Sequence, residues 1–167
     1  MVERASRDQT PGERAEQLVV ECLRAILPPP TAVLANVHWL LRDHGHVRKG
    51  EADVVIADPD RGILVLEVKS GEVRRDGNGT WWVGGKPLDR SPFQQASDSR
   101  YALIRKLYEL PGWPAELRAI AGEAVAFPDV DLDTMRGRLG LVGLDAQQDL
   151  IADQSMFLDG DDARAEL

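Results

Sequence analysis

Residues 50–70, GEADVVIADPDRGILVLEVKS, decide the fold. Two short apolar runs flank Asp58-Pro59-Asp60-Arg61-Gly62, whose residue types reverse a chain, so two adjacent strands are predicted. Residues 63–68 are apolar on both faces until Glu67, which predicts a central strand. Asp53 opens the first strand, and Glu67 and Lys69 close the second. Side chains alternate along a strand, so Glu51, Asp53 and Val55 are expected on one face, and Val65, Glu67 and Lys69 on one face of the next. Val68 points away, with its carbonyl between the two charged side chains. Charged groups are rarely set in a central strand without a use.

Two carboxylates plus a carbonyl make a hard, all-oxygen site that suits Mg²⁺ or Mn²⁺. Such an ion activates water and holds a phosphate. Lys69 would then orient the water or stabilise charge developing on the phosphate. The competing reading is a buried Asp–Lys or Glu–Lys pair that only shapes the sheet.

Upstream, Thr10-Pro11-Gly12-Glu13 predicts a helix start, with Thr10 as N-cap, Pro11 at the first helical position and Glu13 completing a capping box. Ala15, Leu18, Val19, Cys22 and Ile26 form the expected core stripe, and the helix ends before Pro28-Pro29-Pro30. Glu13 is explained by capping and Glu21 falls outside the stripe. Glu16 lies on its flank among Val20, Leu23 and Leu27. It reads either as a third acidic member of the site, acting through water, or as a rim residue reaching solvent. Residues 31–41 form an expected first strand with a polar break at Asn36, and residues 42–49 a polar turn. His44 and His46 in that turn lack a third partner and read as exposed, and His38 as a packed or rim residue.

Downstream, residues 71–78 are charged. Residues 80–83 and 86–88, joined by Gly84-Gly85, read as a hairpin in which one of Trp81 and Trp82 closes the sheet and the other is half exposed, the alternative being base stacking. Ser91-Pro92-Phe93-Gln94 is a second capping box, opening a helix to about Glu109. Gln95 is not used by that cap, and its amide can bridge a phosphate or the attacking water. Arg100 falls within the stripe of Ala96, Leu103 and Leu107. Strands are expected over 122–127 and 138–144, an acidic solvated loop over 128–133, and a terminal helix from 145 to 151.

The 167 residues suit one domain, taken as residues 10–157, after a loose lead-in (1–9) and before an acidic linker or tail (158–167) that would fit a further module. No apolar run is long enough to span a membrane, and the N-terminus has no signal-peptide core. A lone cysteine, Cys22, whose helical position reads as buried, fits a reducing cytoplasm. The net charge of −8 does not advertise a nucleic-acid binder, but the acidity lies in the last third. A local basic groove is expected around Arg48-Lys49, Arg74-Arg75, Lys86 and Arg90, its alternative being a solvated mixed surface.

The assembled pattern resembles the PD-(D/E)xK nuclease superfamily and, within it, the nuclease-related domain. The motifs are Gly12-x-x-Ala15-Glu16, Gly50-Glu51-Ala52-Asp53-Val54-Val55, Leu66-Glu67-Val68-Lys69 and Ser91-Pro92-x-x-Gln95-Ala96, in the family's order, with a Gly-rich tryptophan hairpin between the last two. The resemblance implies a restriction-endonuclease-like α/β fold, a central mixed sheet flanked by helices, and a divalent metal site. Asp53 and Glu67 match metal-ligand positions, Lys69 the catalytic lysine, Glu16 the helix glutamate and Gln95 the glutamine on the following helix. The activity expected is a metal-dependent nuclease acting on DNA in processing, repair or defence. Mg²⁺ or Mn²⁺ would be held by Asp53, Glu67, the Val68 carbonyl and Glu16. The alternatives are a non-cleaving module that binds nucleic acid or a helicase-type partner, and an interaction module, in its simplest version a homodimer, built on Trp81 and Trp82.

Overall fold

The turn at 58–62 closes a hairpin in the computed structural model of the chain, which describes residues 9–43, 45–131 and 150–153. Asp58 accepts from the backbone N–H groups of Asp60 and Arg61, the local bonding for which Asp is favoured in turns. Strand β2 (His46–Asp58) runs antiparallel to β3 (Gly62–Val68), with Val54 opposite Leu66 and Asp58 opposite Gly62. Gly62 has φ +101° and an added Cβ would sit 2.3 Å from the Ile120 carbonyl oxygen, so only glycine fits there.

Strand β1 (Ala32–Asp43) pairs antiparallel with β2, and β7 (Ala121–Phe127) pairs parallel with the other edge of β3. Strand β8 (Leu150–Asp153) adds parallel to β7, giving a mixed sheet of order β1-β2-β3-β7-β8 with β3 at its centre, as the apolar run at 63–68 predicts. A second, three-stranded sheet comprises β4 (Val73–Arg75), β5 (Trp81–Val83) and β6 (Lys86–Pro87).

Helices α1 (Pro11–Ile26) and α2 (Pro92–Tyr108) cover opposite faces of the large sheet. Thr10 and Glu13 form the expected capping box on α1, worth about 1 kcal/mol. Ser91 accepts from the Gln94 N–H at the start of α2. Ala15, Val19 and Val20 of α1 pack on Val33, Val54, Leu66, Val68, Ala124 and Ala126, with Leu23 and Leu27 against the same cluster. Ala102 and Leu103 of α2 pack on Trp39 and Leu41, and Leu103 also meets Ala52, Val55 and Val65. Trp81 stacks on Phe127 with centroids 6.0 Å apart and fixes the small sheet to β7. Among the described residues no helix is long and apolar enough to cross a membrane.

Four sequence expectations change. The α1 stripe is rotated: Leu18 is 37% exposed and Cys22 only half-buried, because the helix turns its Val20–Leu23–Leu27 side to the sheet. The turn expected over 42–49 is tighter: the ladder continues through Leu41↔Arg48 and Arg42↔Val47 to Asp43↔His46, anchored by Leu41, which is 2% exposed beneath α2. The charged segment 71–78 contains β4, held by the buried Val73. Leu150 and Ile151 lie in a strand, not a helix. The rest of that expected helix, the strand at 138–144, His44 and the segments 1–8 and 154–167 fall outside the described residues.

Candidate active site

At Asp53 strand pairing lapses on both sides, for one position against β1 and from there on against β3. The β1–β2 ladder passes from Ala35↔Val54 to Val37↔Ala52 without pairing Asn36 with Asp53. The β2–β3 ladder ends at Val54↔Leu66. The Asp53 side chain bridges to the neighbouring strand instead: its Oδ2 accepts from the Val68 N–H at 2.7 Å. The pleat also changes phase here. Val33 and Val54 belong to the α1 face, whereas Trp39, Leu41 and Ala52, which strict alternation would place on that same face, pack beneath α2. The expected shared face of Glu51, Asp53 and Val55 is accordingly interrupted, and the exposed Glu51 side chain approaches His38 at 3.6 Å.

Glu67 follows from β3 as expected. It is 5% exposed and its Oε1 pairs with the Lys69 ammonium. Burial pushes the Glu67 carboxyl up to about 7, helped by the negative charge of Asp53 and Glu16 and opposed by Lys69. Asp53 is raised as well, chiefly by burial, with the Val68 N–H and Lys69 acting in the opposite direction. Glu16 on α1 belongs to the same electrostatic unit. Its carboxyl is raised by burial and then by Asp53, while its Oε2 accepts a hydrogen bond from Asn36 Nδ2 at 3.1 Å.

Asp53, Glu67, Lys69 and Gln95 line one open cleft of about 580 Å³. Gln95 is held there by a 3.0 Å bond from its Nε2 to the Arg90 carbonyl. The expected basic groove divides. Arg48, Lys49 and Arg90 line the cleft, and Asp98 bridges both arginines. Arg74 instead stacks on Trp82, 4.2 Å from the ring centroid, and Arg75 reaches the Gly79 carbonyl. Trp81 is buried and Trp82 half-buried with Asp76 accepting from its Nε1, the arrangement expected of a pair in which one tryptophan closes the sheet and the other is half exposed. Arg100 pairs with Glu123 on β7. Asp129 of the acidic loop accepts from the Gly71 N–H at 2.7 Å, so this part of the loop is tied back to the chain just after Lys69.

Trp39 also lines the cleft, its ring packed against Gly50. Its Nε1 donates to Ser99 Oγ at 3.2 Å, and that hydroxyl donates to the Glu51 carbonyl at 3.0 Å. An added Cβ at Gly50 would lie 2.3 Å from Trp39 Cζ2. Gly50→Ala is expected to cost about 1–3 kcal/mol by overpacking, read as a lower urea midpoint at unchanged slope. Trp39, Asn36 and Asp98 were missed from sequence. The signals for the first two were a tryptophan opposite a glycine and an asparagine inside an apolar strand.

Among the described residues no group of three or more His, Cys, Asp and Glu side chains forms a cation cage. Asp53 and Glu67 nonetheless suit a hard divalent ion. Both are raised by burial, Glu67 also by the charge of Asp53, and a cation between them would relieve that repulsion. The Val68 contribution seen is its N–H on Asp53.

The family model described as the nuclease-related domain matches residues 11–127, from the first residue of α1 to the last of β7. No curated protein and no solved structure matches the chain.

Proposed function

The chain belongs to the nuclease-related domain family, and from that premise we propose that it is a divalent-metal-dependent nuclease hydrolysing phosphodiester bonds in DNA. The observation that carries this reading is the convergence of Asp53, Glu67, Lys69 and Gln95 in one open cleft rimmed by Arg48, Lys49 and Arg90. Asp53 and Glu67, with the Val68 carbonyl, would hold Mg²⁺ or Mn²⁺, and Glu16 would reach it through water. The bound ion supplies Lewis-acid polarisation of the scissile phosphate and a lowered pKa for water.

The protein's own groups do the rest. The Lys69 ammonium, anchored by Glu67, presents a positive charge beside the two carboxylates, where it orients a water and neutralises charge developing on the phosphate. Gln95 offers an amide to the same phosphate or water. Arg48, Lys49 and Arg90 attract the flanking backbone, which a chain of net charge −8 needs locally. In hydrolysis the water oxygen forms a bond to phosphorus, the bond to one ester oxygen breaks, and that oxygen leaves with a proton.

The test is cleavage of circular single-stranded and supercoiled double-stranded DNA in Mn²⁺, Mg²⁺ or EDTA. Cutting of circles in metal and none in EDTA is expected. No cutting of circular or linear DNA in either metal would replace the nuclease reading with that of a binding module.

A further inference from the structure

We propose that Asn36 is a positioning residue of the cleft: its left-handed backbone frees Asp53 from the strand ladder, and its side-chain amide holds the Glu16 carboxylate beside it. Among the described residues Asn36 is the one non-glycine with positive φ, +52°. It stands in the register position opposite Asp53, where pairing lapses between Ala35↔Val54 and Val37↔Ala52. The exchange of faces in both strands is centred on this position, with Val33 and Val54 on the α1 side and Trp39 and Ala52 on the α2 side. A regular residue here would continue the ladder and the pleat, and Asp53 would lose its separation from β1.

The amide supplies the second half. Nδ2 donates to Glu16 Oε2 at 3.1 Å across twenty residues of chain. Few residue types meet both demands. Asparagine and aspartate visit the left-handed region more readily than other side-chain-bearing residues. Aspartate would set a second carboxylate against Glu16, and glycine would supply the backbone without the donor. The backbone role concerns the fold alone, whereas the amide role rests on the nuclease reading, in which Glu16 serves the metal.

The experiment compares Asn36→Gly and Asn36→Ala in the full chain. Melting temperatures in EDTA report the backbone role. Asn36→Gly should melt about 2–4 °C above Asn36→Ala, the reverse of the order in a regular strand. Mn²⁺ affinity by calorimetry reports the amide role. It should fall about 10-fold in Asn36→Gly. In a Glu16→Gln background, Asn36→Gly should add little further loss, because the amide acts through Glu16. An alanine variant as stable as the glycine variant overturns the backbone role. An equal loss of Mn²⁺ affinity with and without Glu16 overturns the amide role. A wild-type protein that binds no Mn²⁺ removes the metal reading and the amide role together, while the melting order still decides the backbone role.

Discussion

Lys69→Ala is expected to slow DNA cleavage by about 10²–10⁴-fold without unfolding the protein. The lysine sits just beyond β3, its backbone N–H donates to the Ala126 carbonyl, and that bond survives truncation of the side chain. The side chain is only 19% exposed and its ammonium pairs with Glu67, so it is fixed before substrate arrives. Its loss removes a positive charge from beside two acids. Cation binding should therefore hold or tighten, and the defect should fall on the rate constant at saturating metal. Lys69→Arg should not restore the rate, because a planar guanidinium cannot take the place of a compact ammonium. Single-turnover cleavage at saturating Mn²⁺, with metal affinity measured by calorimetry, separates the two effects. Wild-type rates in Lys69→Ala would remove the lysine from the chemistry. Wild-type rates with unchanged metal affinity in Glu67→Ala would do the same for the acid.

The parts of this site that were legible in sequence are those set by local pattern. An apolar run ending in Glu67-x-Lys69, after a turn of Asp, Pro and Gly, places both charges at the end of a central strand by alternation alone. The caps at Thr10 and Ser91 were legible because the bonds they make are local. The phase of α1 was not. Leu18 and Cys22 compete with Val20 and Leu23 for the buried face, and the choice falls to Leu66, Val68, Ala124 and Ala126, more than forty residues away. The same holds for β4, where Val73 is a single apolar residue among charges and its burial depends on Trp81 and Phe127. The pleat reversal at Asn36 has no signature in a period of two, because a left-handed residue breaks the alternation on which that period rests. Arg48 and Arg74 read alike as basic residues, and only the tertiary arrangement sends one to the cleft and the other to Trp82.

Glu67→Gln is expected to stabilise the metal-free protein at pH 8 and to abolish most of the stabilisation given by Mn²⁺. The folded-state value of Glu67, about 7, lies above its ordinary 4.5. The stability contributed by the neutral acid is thus full below about pH 4.5 and is lost as the pH rises through about 7. Above that point the ionised acid costs the folded protein on the order of 3 kcal/mol, from burial first and the Asp53 charge second. Glutamine keeps the shape and discards the charge, and Asp53 remains as a counter-charge for Lys69. A cation reverses the balance, since it binds the ionised pair and stabilises the folded state in proportion to its concentration over its Kd. In EDTA the wild type should lose melting temperature from pH 5 to pH 8 more steeply than Glu67→Gln. In excess Mn²⁺ at pH 8 the wild type should recover and the variant should not. The opposite result in EDTA, a variant less stable than the wild type at pH 8, would mean that the Glu67–Lys69 pair is there to hold the sheet. The acid would then be structural, and the convergence of charges in the cleft would have been built for packing, without a metal to serve.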